Sequence, residues 1–599
     1  MFYMLDWTLQ RISTGFNGGQ NMTMENSIVD HQGANWNHSV DVLVVGSGNG
    51  GLTAAVTNHE MGTKDILVIE KADKIGGTSA TSGGGIWIPC NRYAQEAGAE
   101  DSLDEAREYL KHTLKGEDIP PELVETYLEN GPKMVDFLHK CSHVRYETLD
   151  HYPDYYSSLP GAKPGHRSLE PSPINASELG SEYKRMTYSH HMMRMFGVIH
   201  FTQVEAQVLM LKLPGWGKLT MSMVMNYLLD IPWRLRTSIS RRLACGSAGV
   251  ARLYLSVKER NIPVWFDSPM VDLIQEDGRV VGAIIQRDGK TIRVQARKGV
   301  VLAAGGFEHN QELREKYLPS PTNADWSAGA YTNTGDPLTA GLKLGAATRL
   351  MNDAWWTTTL CVPDEPMPRL SIMEKSFPGS CVVNTKGVRF ANESQNYMAF
   401  QKRLFEAHSD DNPCAPAYHI FDARFRRDYI VGPLMTASMK PDWTIPKKWY
   451  DQGFVGKANS ISELASQMGI DPTGLEDTVK KMNHYAETGI DEDFQRGDAE
   501  YDRYYADPEI KPNPCLAPIS EGPYYAMRIE AGDFGTLGGL ATDVNAQVKS
   551  EEGGLIEGLY AVGNCSAAIL STYPGPGATL GPAMTMAYQS AKHINNYQD

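Results

Sequence analysis

The feature that most constrains the fold is a short apolar segment that ends in three spaced glycines. Residues 41–45 read Asp-Val-Leu-Val-Val, and Gly46, Gly48 and Gly51 follow before a run of small residues. The apolar segment predicts a buried parallel strand, and the small residues predict a helix. Gly46 permits a tight turn, Gly48 lets the backbone approach a pyrophosphate, and Gly51 lets the helix pack on the strand. N–H groups at the start of the helix would face the phosphates.

A second apolar segment supports the same interpretation. Residues 66–69 read Ile-Leu-Val-Ile and lead into Glu70, nineteen residues after Gly51. At this spacing a carboxylate binds a ribose hydroxyl. The glycine pattern alone is weak evidence, but strand, turn, helix, strand and acid occur here in order. The sequence therefore predicts an α/β dinucleotide-binding domain.

Further glycine clusters indicate other approaches to the same elongated ligand. Residues 76–89 read GGTSATSGGGIWIP, a loop suited to wrapping a diphosphate and a flat ring. Residues 299–307 and 558–564 are apolar segments that end in glycine, and residues 575–582 precede a terminal helix. Between residues 263 and 293, apolar and polar residues alternate around two Asp-Gly turns, which predicts a β-meander.

Composition excludes several classes of protein. With 599 residues, 41% of them hydrophobic, the chain can bury large cores and is not disordered. A net charge of −16 argues against nucleic acid as a partner. The eight cysteines form no C-x-x-C pair, which favours reduced thiols in a cytosolic protein, and the histidines show no metal spacing. The sequence has no uninterrupted stretch of ~18 apolar residues, so no transmembrane helix is expected.

Taken together, the motifs resemble those of the succinate dehydrogenase and fumarate reductase flavoproteins, and within them the 3-ketosteroid Δ1-dehydrogenases. The segments that carry the resemblance span residues 40–595 and include Gly76-Gly77-Thr78-Ser79-Ala80, Arg389-Phe390-x-Asn392-Glu393 and Tyr573-Pro574-Gly575-Pro576-Gly577. The resemblance implies a Rossmann-like FAD-binding domain, discontinuous in sequence, with a mixed α+β catalytic domain. It also implies non-covalent FAD, because no histidine lies between residues 76 and 85, where succinate dehydrogenases attach the flavin.

Dinucleotide motifs at both ends of the chain predict a domain division, and the resemblance implies a set of flavin-binding residues. We expect a flexible N-terminal extension at 1–35, the two parts of the FAD domain at 36–324 and 538–599, and the catalytic cap at 325–537. The residues assigned to FAD are Gly46, Gly48, Gly50, Gly51, Glu70, Lys71, Gly77, Thr78, Ser79, Ser82, Gly83, Gly84, Gly85, Ala304, Gly305, Gly306, Asn333, Gly335, Asp336, Gly563, Asn564, Thr579 and Leu580.

Catalytic residues follow from the same resemblance. Fumarate reductases place an arginine four residues after the glutamate of the Arg-Phe-x-Asn-Glu motif, but this chain has Tyr397 there. Tyr397 is therefore expected to be the general base that removes the C2 proton, while hydride passes from C1 to flavin N5. The Tyr573 hydroxyl and the Gly577 N–H would hold the ketone oxygen. Tyr155 would assist Tyr397, although Tyr152 is a competing candidate, as is the neighbouring tyrosine at 156.

The expected activity is FAD-dependent 1,2-dehydrogenation of 3-ketosteroids in steroid or sterol degradation, with an external electron acceptor. Two alternatives remain: another flavin enzyme of this fold, such as a Δ4-dehydrogenase or an ene-reductase, and a non-catalytic FAD-binding electron carrier. Asp154 is a candidate base but is interpreted as an exposed turn carboxylate. His190 and His191 are interpreted as solvated or structural residues.

An apolar and basic segment at residues 192–242 has the character of an insertion. From Arg194 to Arg242 it contains seven Lys/Arg and two Asp/Glu, a local charge of +5 in an acidic chain. Apolar residues flanked by Trp216, Trp233 and basic residues predict a helical hairpin that lies in a membrane interface through residues 194–236. A lid or an oligomer contact is an equal alternative. The expected location is cytoplasmic, with this segment as a peripheral membrane contact.

Overall fold

A computed structural model of the chain describes residues 35–598, so the predicted N-terminal extension lies outside the described residues apart from Asn35. The strands are, in chain order, β1 (His38–Val45), β2 (Ile66–Ile69), β3 (Ile86–Trp87), β4 (Tyr146–Thr148), β5 (Ser168–Pro171), β6 (Ile174–Asn175), β7 (Arg194–Met195), β8 (Ile199–His200), β9 (Arg242–Leu243), β10 (Val264–Trp265), β11 (Met270–Glu276), β12 (Arg279–Arg287), β13 (Lys290–Leu302), β14 (Thr348–Arg349), β15 (Ala354–Leu360), β16 (Arg369–Leu370), β17 (Ser380–Val383), β18 (Ala417–Phe421), β19 (Val455–Ala458), β20 (Tyr524–Thr536), β21 (Gly539–Leu540), β22 (Gln547–Lys549) and β23 (Leu555–Ala561).

The α-helices alternate with these strands in the first half of the chain and dominate several stretches of the second half. They are α1 (Asn49–Glu60), α2 (Gly77–Thr81), α3 (Arg92–Glu96), α4 (Leu103–Thr113), α5 (Pro121–Cys141), α6 (Gln203–Met210), α7 (Trp216–Leu229), α8 (Ile231–Arg234), α9 (Cys245–Glu259), α10 (Gln311–Tyr317), α11 (Asp336–Lys343), α12 (Tyr397–Ala407), α13 (Ala423–Asp428), α14 (Lys447–Asp451), α15 (Ile461–Met468), α16 (Pro472–Thr488), α17 (Glu500–Tyr504) and α18 (Leu580–Asn595).

An eight-stranded sheet carries the predicted glycine turns. Its order is β10-β2-β1-β13-β12-β23-β22, with β11 paired to β12. Strands β10, β2, β1, the end of β13 and β23 run parallel. Because the carboxyl ends of parallel strands meet at one edge of a sheet, the turns after β1, β2, β13 and β23 emerge side by side. Strands β11, β12 and β13 form the predicted antiparallel meander.

The first glycine turn packs as the sequence predicts. Residues Val42 to Val45 of β1 are buried, and α1 follows them directly. A Cβ on Gly51 would lie 2.1 Å from the carbonyl oxygen of Gly46, so only glycine allows this contact between helix and turn. Helix α18 packs beside α1 and returns the end of the chain to the same layer.

A six-stranded antiparallel sheet is built from residues 354–536. Its order is β16-β15-β20-β18-β17, with β19 paired to β20. Helix α12, which begins at Tyr397, packs on β15. The two sheets draw their strands from different parts of the chain, but the boundaries of the two-domain division stay a prediction.

The apolar and basic segment is helical, as predicted, through α6, α7 and α8. Both tryptophans of the segment were expected to flank a membrane face, but only one of them is exposed. Trp216 is 44% exposed, whereas Trp233 is buried against Tyr183, with ring centroids 4.8 Å apart. Within residues 35–598 we find no helix that combines the length and the apolar character needed to cross a bilayer.

Candidate active site

A cavity of about 980 Å³ lies at the carboxyl edge of the eight-stranded sheet. All the predicted flavin-binding residues line it except Gly51 and Gly306. Gly51 packs against the first turn, as described above. A Cβ on Gly306 would lie 2.0 Å from Oγ1 of Thr536, so this glycine brings the end of β13 against β20. These two glycines shape the wall and do not face the cavity.

Glu70 is held rigidly beside the first glycine turn. Its Oε2 accepts hydrogen bonds from the backbone N–H of Ser47 at 3.1 Å and from the Ser47 hydroxyl at 2.5 Å. Its Oε1 accepts from the N–H of Ala72 at 2.8 Å. Burial raises the pKa of Glu70, and these hydrogen bonds oppose the increase. The carboxylate is thus a fixed acceptor at the cavity wall, where a ribose hydroxyl could bind it.

The beginning of α1 provides a site for phosphate. No side chain caps this helix, and its first turn contains no acidic residue. The N–H of Asn49 donates to the hydroxyl of Ser79 at 3.1 Å. The buried Oδ1 of Asn49 has no partner among the described residues and needs a donor such as a hydroxyl group. A free helix N-terminus attracts anions, so these groups fit the diphosphate and sugar of a dinucleotide.

Hydrogen bonds join three of the predicted flavin-binding segments. Lys71 Nζ donates to Asp336 at 2.9 Å and to the hydroxyl of Thr334 at 2.7 Å. Asn333 Nδ2 donates to the hydroxyl of Thr78 at 3.2 Å. The segment after β2, helix α2 and the loop before α11 therefore form one continuous wall, although they are far apart in sequence.

Three buried tyrosines gather at another part of the cavity. The ring centroids of Tyr155 and Tyr397 are 5.6 Å apart, those of Tyr397 and Tyr573 are 5.2 Å apart, and those of Tyr155 and Tyr573 are 5.6 Å apart. Each of the three lines the cavity. They come from the loop after β4, the first residue of α12 and the loop before α18. The structure thus brings together the three side chains that the resemblance singled out.

The phenol groups of this cluster alter each other's acidity. Burial raises the pKa of Tyr397 well above its usual value, and the hydroxyl of Tyr573 raises it further, whereas that of Tyr155 lowers it. Burial also raises the pKa of Tyr573, and hydrogen bonds from Tyr397, Thr579 and the Gly577 N–H oppose this. The Gly577 N–H and the Tyr573 hydroxyl are therefore neighbours, as the prediction requires.

Gly577 occupies a position that only glycine can take. Its φ of +99° lies in the left-handed region, and a Cβ would meet the backbone of Ile86 at 2.4 Å. Its carbonyl oxygen accepts the N–H of Trp87 at 3.3 Å, which fixes the loop before α18 against β3. The peptide N–H is thereby held at the cavity without a side chain to obstruct a ligand.

The structure distinguishes Tyr155 from its neighbours in sequence. Tyr155 contacts both Tyr397 and Tyr573. Tyr152 also lines the cavity, but it approaches Tyr155, with the two hydroxyl oxygens 3.5 Å apart. Tyr152 in turn shares a hydrogen bond with Tyr505. The chain of phenols therefore extends beyond the three predicted residues. Sequence reasoning missed Tyr505 and its neighbours, although three tyrosines within residues 501–505 were a usable signal.

A buried ion network fixes the beginning of α12 and hence Tyr397. The side chain of Asn396 caps the helix, accepting the N–H of Ala399 at 2.9 Å. Just before it, Arg389 pairs with Glu393 at 2.7 Å, and Lys375 Nζ donates to the carbonyl oxygen of Glu393 at 2.9 Å. Burial lowers the pKa of Lys375 to about 7. The Arg-Phe-x-Asn-Glu motif thus fixes the position of Tyr397.

The interpretation of Asp154 as an exposed turn carboxylate is wrong. Its side chain is buried, accepting Nη1 of Arg167 at 2.8 Å and Nε1 of Trp87 at 2.7 Å. Burial raises its pKa to about 6, and Arg167 limits the increase. The carboxylate holds the loop that carries Tyr155 against β3, which its place in a Pro-Asp turn did not reveal.

The inserted segment also lines the cavity, through residues 192–197, Gln203 and Trp216. The N–H of Gln203 donates to Glu170 at 2.7 Å, and its side chain lies over Gly83. Of the two histidines interpreted as solvated or structural, His190 is buried and lines the cavity. His191 also lines the cavity and pairs with Glu365 at 2.8 Å. The segment therefore forms part of the cavity wall.

The fold and cavity together define a FAD-binding oxidoreductase. Residues 41–580 match the family described as FAD binding domain, and the chain belongs to this flavoprotein family. It is 40% identical, over 564 residues, to a 3-oxosteroid 1-dehydrogenase of Mycolicibacterium smegmatis, covering 92% of this chain and 97% of that protein. The predicted family, fold class and cofactor are confirmed.

Two other relatives refine the comparison. A solved 3-ketosteroid Δ1-dehydrogenase of Sterolibacterium denitrificans, in complex with 1,4-androstadiene-3,17-dione, superimposes with a TM-score of 0.90. It is 43% identical, and the match covers 94% of this chain and all of that one. A 4-oxocyclohexanecarboxylate 2-dehydrogenase of Sinomonas cyclohexanicum is 36% identical over 570 residues, 92% of each chain.

Proposed function

We propose that this chain catalyses the FAD-dependent 1,2-dehydrogenation of 3-ketosteroids. One observation carries the proposal: the hydroxyl of Tyr397 lies beside those of Tyr155 and Tyr573, and the hydroxyl of Tyr573 lies beside the N–H of Gly577, in a cavity whose other walls are glycine turns of a dinucleotide site. The relatives that are named as 3-oxosteroid 1-dehydrogenases support the choice of substrate.

The ketone oxygen of the steroid binds Tyr573 and Gly577. Removing a proton from the carbon next to a ketone places negative charge on the ketone oxygen. A hydroxyl and a peptide N–H held in place beforehand stabilise that charge, and each such donor contributes roughly 10²–10³ in rate. Because Gly577 has no side chain, the flat A ring can approach its N–H closely.

Tyr397 removes the proton from C2. A phenol with a pKa of about 10 is a weak base at neutral pH. Burial makes ionisation harder still, so the phenolate of Tyr397 needs donors around it. Tyr155 supplies one, because its hydroxyl lowers the pKa of Tyr397. The ion network at Arg389 and Lys375 keeps the base in position.

FAD, when bound, supplies the acceptor for the hydride that leaves C1. Glu70 would hold the ribose, the beginning of α1 the diphosphate, and the loop at residues 77–85 the ring system. The tyrosines and the inserted segment exclude water from the steroid. An external electron acceptor must then take up the electrons before the next turnover.

Reduction of the bound flavin without oxygen tests this function directly. We expect 4-androstene-3,17-dione to bleach the flavin absorbance and to yield a product with a new double bond between C1 and C2, located by NMR. A double bond at C4 formed from a saturated ketone would instead identify a Δ4-dehydrogenase. Flavin reduction by 4-oxocyclohexanecarboxylate alone would identify a small-ketone dehydrogenase, and no reduction by any ketone would favour an electron carrier.

The outer face of the inserted segment fits a membrane surface. Met221, Leu229, Ile231 and Leu235 are 62%, 68%, 62% and 84% exposed. They belong to α7, α8 and the residue that follows α8. We infer that these side chains enter the interface of a lipid bilayer, from which a poorly soluble steroid could reach the cavity.

Liposome co-sedimentation tests the membrane contact. A variant with Leu229, Ile231 and Leu235 replaced by serine should lose binding to liposomes while keeping its activity towards a soluble steroid. Trp443 is 85% exposed outside the segment, and Trp443→Ser is a matched control that should still bind. Equal sedimentation of both variants would contradict the contact.

A further inference from the structure

The cavity has a second polar region apart from the tyrosines. We call it the cationic rim and define it by His190, Arg194, Arg369 and Lys440, which all line the cavity. Arg369 pairs with Glu365 at 2.6 Å. The same carboxylate also accepts the histidine next to His190, as described above. The rim therefore contains residues of the inserted segment and of the loop before α14.

His190 presents a free donor to the cavity. Its Nδ1 accepts the N–H of Met192 at 3.2 Å, so the ring proton of the neutral side chain resides on Nε2. His190 is 8% exposed, and its buried Nε2 has no partner within residues 35–598. Burial lowers its pKa to about 3, which keeps the ring neutral. A buried N–H without an acceptor costs free energy, so this group indicates a ligand.

Arg194 presents a positive charge without a matching carboxylate. No Asp or Glu in the described part of the chain pairs with it, and its buried Nε lacks a partner there. Burial lowers the pKa of Arg194. Lys440 donates to the carbonyl oxygen of Pro433 at 3.3 Å and lies over the ring of Trp449, but within residues 35–598 no carboxylate pairs with it, and burial lowers its pKa as well. Half-buried cations of this kind are stabilised by an anion that enters the cavity.

The walls around the rim are apolar. Met192, Met193, Phe196, Met435 and Met439 line this part of the cavity. Flexible methionine side chains accommodate an irregular alkyl chain well. Apolar walls with cations at their margin suit a ligand that has a hydrocarbon body and an acidic end.

The FAD diphosphate is not the anion that the cationic rim needs. Its expected place is the free N-terminus of α1, which lies beside Ser79 and the first glycine turn. Arg194 belongs to the inserted segment, which is not part of the strand–turn–helix unit that binds the dinucleotide. The anion is therefore expected on the other ligand, the steroid.

We propose that the cationic rim binds a carboxylate at the end of the steroid side chain, with Arg194 and His190 as its donors. This inference rests on the proposed function. It defines the substrate class as 3-ketosteroid acids: the ketone lies at Tyr573, the alkyl chain follows the methionine-lined wall, and the carboxylate ends at the rim.

Matched substrates test the rim. A 3-ketosteroid with a side-chain carboxylate should be used by the wild-type enzyme with a kcat/KM about tenfold to hundredfold higher than its methyl ester, the range expected for charge-assisted hydrogen bonds. Arg194→Gln should abolish that preference, bringing kcat/KM for the acid down to the level of the ester. Arg234→Gln is the matched control, because this arginine of the same segment is exposed and stacks on Tyr227.

Three outcomes would refute the carboxylate subsite at the cationic rim. Equal use of acid and ester by the wild type would remove the carboxylate subsite. Loss of bound flavin from Arg194→Gln would assign the arginine to FAD, and loss of liposome binding without a change in acid preference would assign it to lipid. Should no steroid reduce the wild-type flavin, the proposed function fails by itself. In that case the affinities of the wild type and of Arg194→Gln for the steroid acid, measured by calorimetry, test the rim. Equal affinities would refute the carboxylate subsite.

Discussion

The glycine turns of the dinucleotide site and the tyrosine cluster line the same cavity but are held in place differently. The turn after β1 is made within ten residues, and its geometry depends on backbone contacts such as that between Gly46 and Gly51. The tyrosines come from segments more than 170 residues apart and depend on side-chain packing. Substitutions in the turn should therefore remove flavin binding, whereas loss of a hydroxyl in the cluster should impair only the chemistry.

The largest effect is expected from Gly51→Ala. An added Cβ would lie 2.1 Å from the Gly46 carbonyl oxygen, and this backbone atom cannot move aside as the end of a flexible side chain would. We expect loss of bound FAD and a large decrease in stability, measured by flavin absorbance and thermal unfolding. Gly217→Ala is the control, because this helical glycine of α7 has open space around it. Normal flavin content in Gly51→Ala would refute the backbone argument.

Tyr397→Phe should lower kcat by roughly 10²–10⁴, the contribution of a general base, and leave the flavin bound. Because burial raises the pKa of Tyr397, the phenolate is scarce at pH 7. The wild-type rate should therefore rise from pH 7 to pH 9, and the variant should lose this rise. Stopped-flow flavin reduction across that range measures both effects. Near wild-type reduction rates would show that another group is the base.

Tyr573→Phe should cost roughly 10²–10³ in kcat/KM, as expected for one oxyanion donor. The rise of the rate with pH should persist, because the base is intact. Steady-state kinetics of the variant at several pH values separates this behaviour from that of Tyr397→Phe. An unchanged rate would remove Tyr573 from the ketone site.

The smallest effect is expected from Tyr505→Phe, about threefold to tenfold in kcat, the worth of one hydrogen bond. Its hydroxyl is joined to that of Tyr152, which lies 3.5 Å from the hydroxyl of Tyr155, and Tyr155 contacts Tyr397. The effect should therefore disappear in a Tyr155→Phe background. Tyr504→Phe is the control, since its ring packs on Tyr152, 4.3 Å between centroids, outside the hydroxyl chain. Equal losses in both backgrounds would indicate a structural role.

The sequence predicted the dinucleotide half of the site well because that half is local. Strand period, glycine spacing and the position of Glu70 define the turn after β1 and the acid after β2, and the structure has both. The sequence could not place Asp154, since a carboxylate in a turn gives no sign that Arg167 lies across from it. Nor could it show that His190 is buried, because the covering residues come from elsewhere.

The tyrosines of the site were predicted only in part. Resemblance identified Tyr397, Tyr573 and Gly577 by their motifs, and it left Tyr152 as a rival to Tyr155. Only packing against α12 and the loop before α18 distinguished Tyr155. The same packing revealed Tyr505, whose hydroxyl is joined to Tyr152 by the fold alone.

The sequence by itself determined the α/β core, the glycine turns and the family, because backbone conformation and strand burial depend on nearby residues. The tertiary structure decided which phenols share hydrogen bonds, that the inserted segment lines the cavity, and that Arg194 lacks a carboxylate partner in the described residues. Those properties depend on distances between segments far apart in the chain, and a pattern of residue types does not contain them.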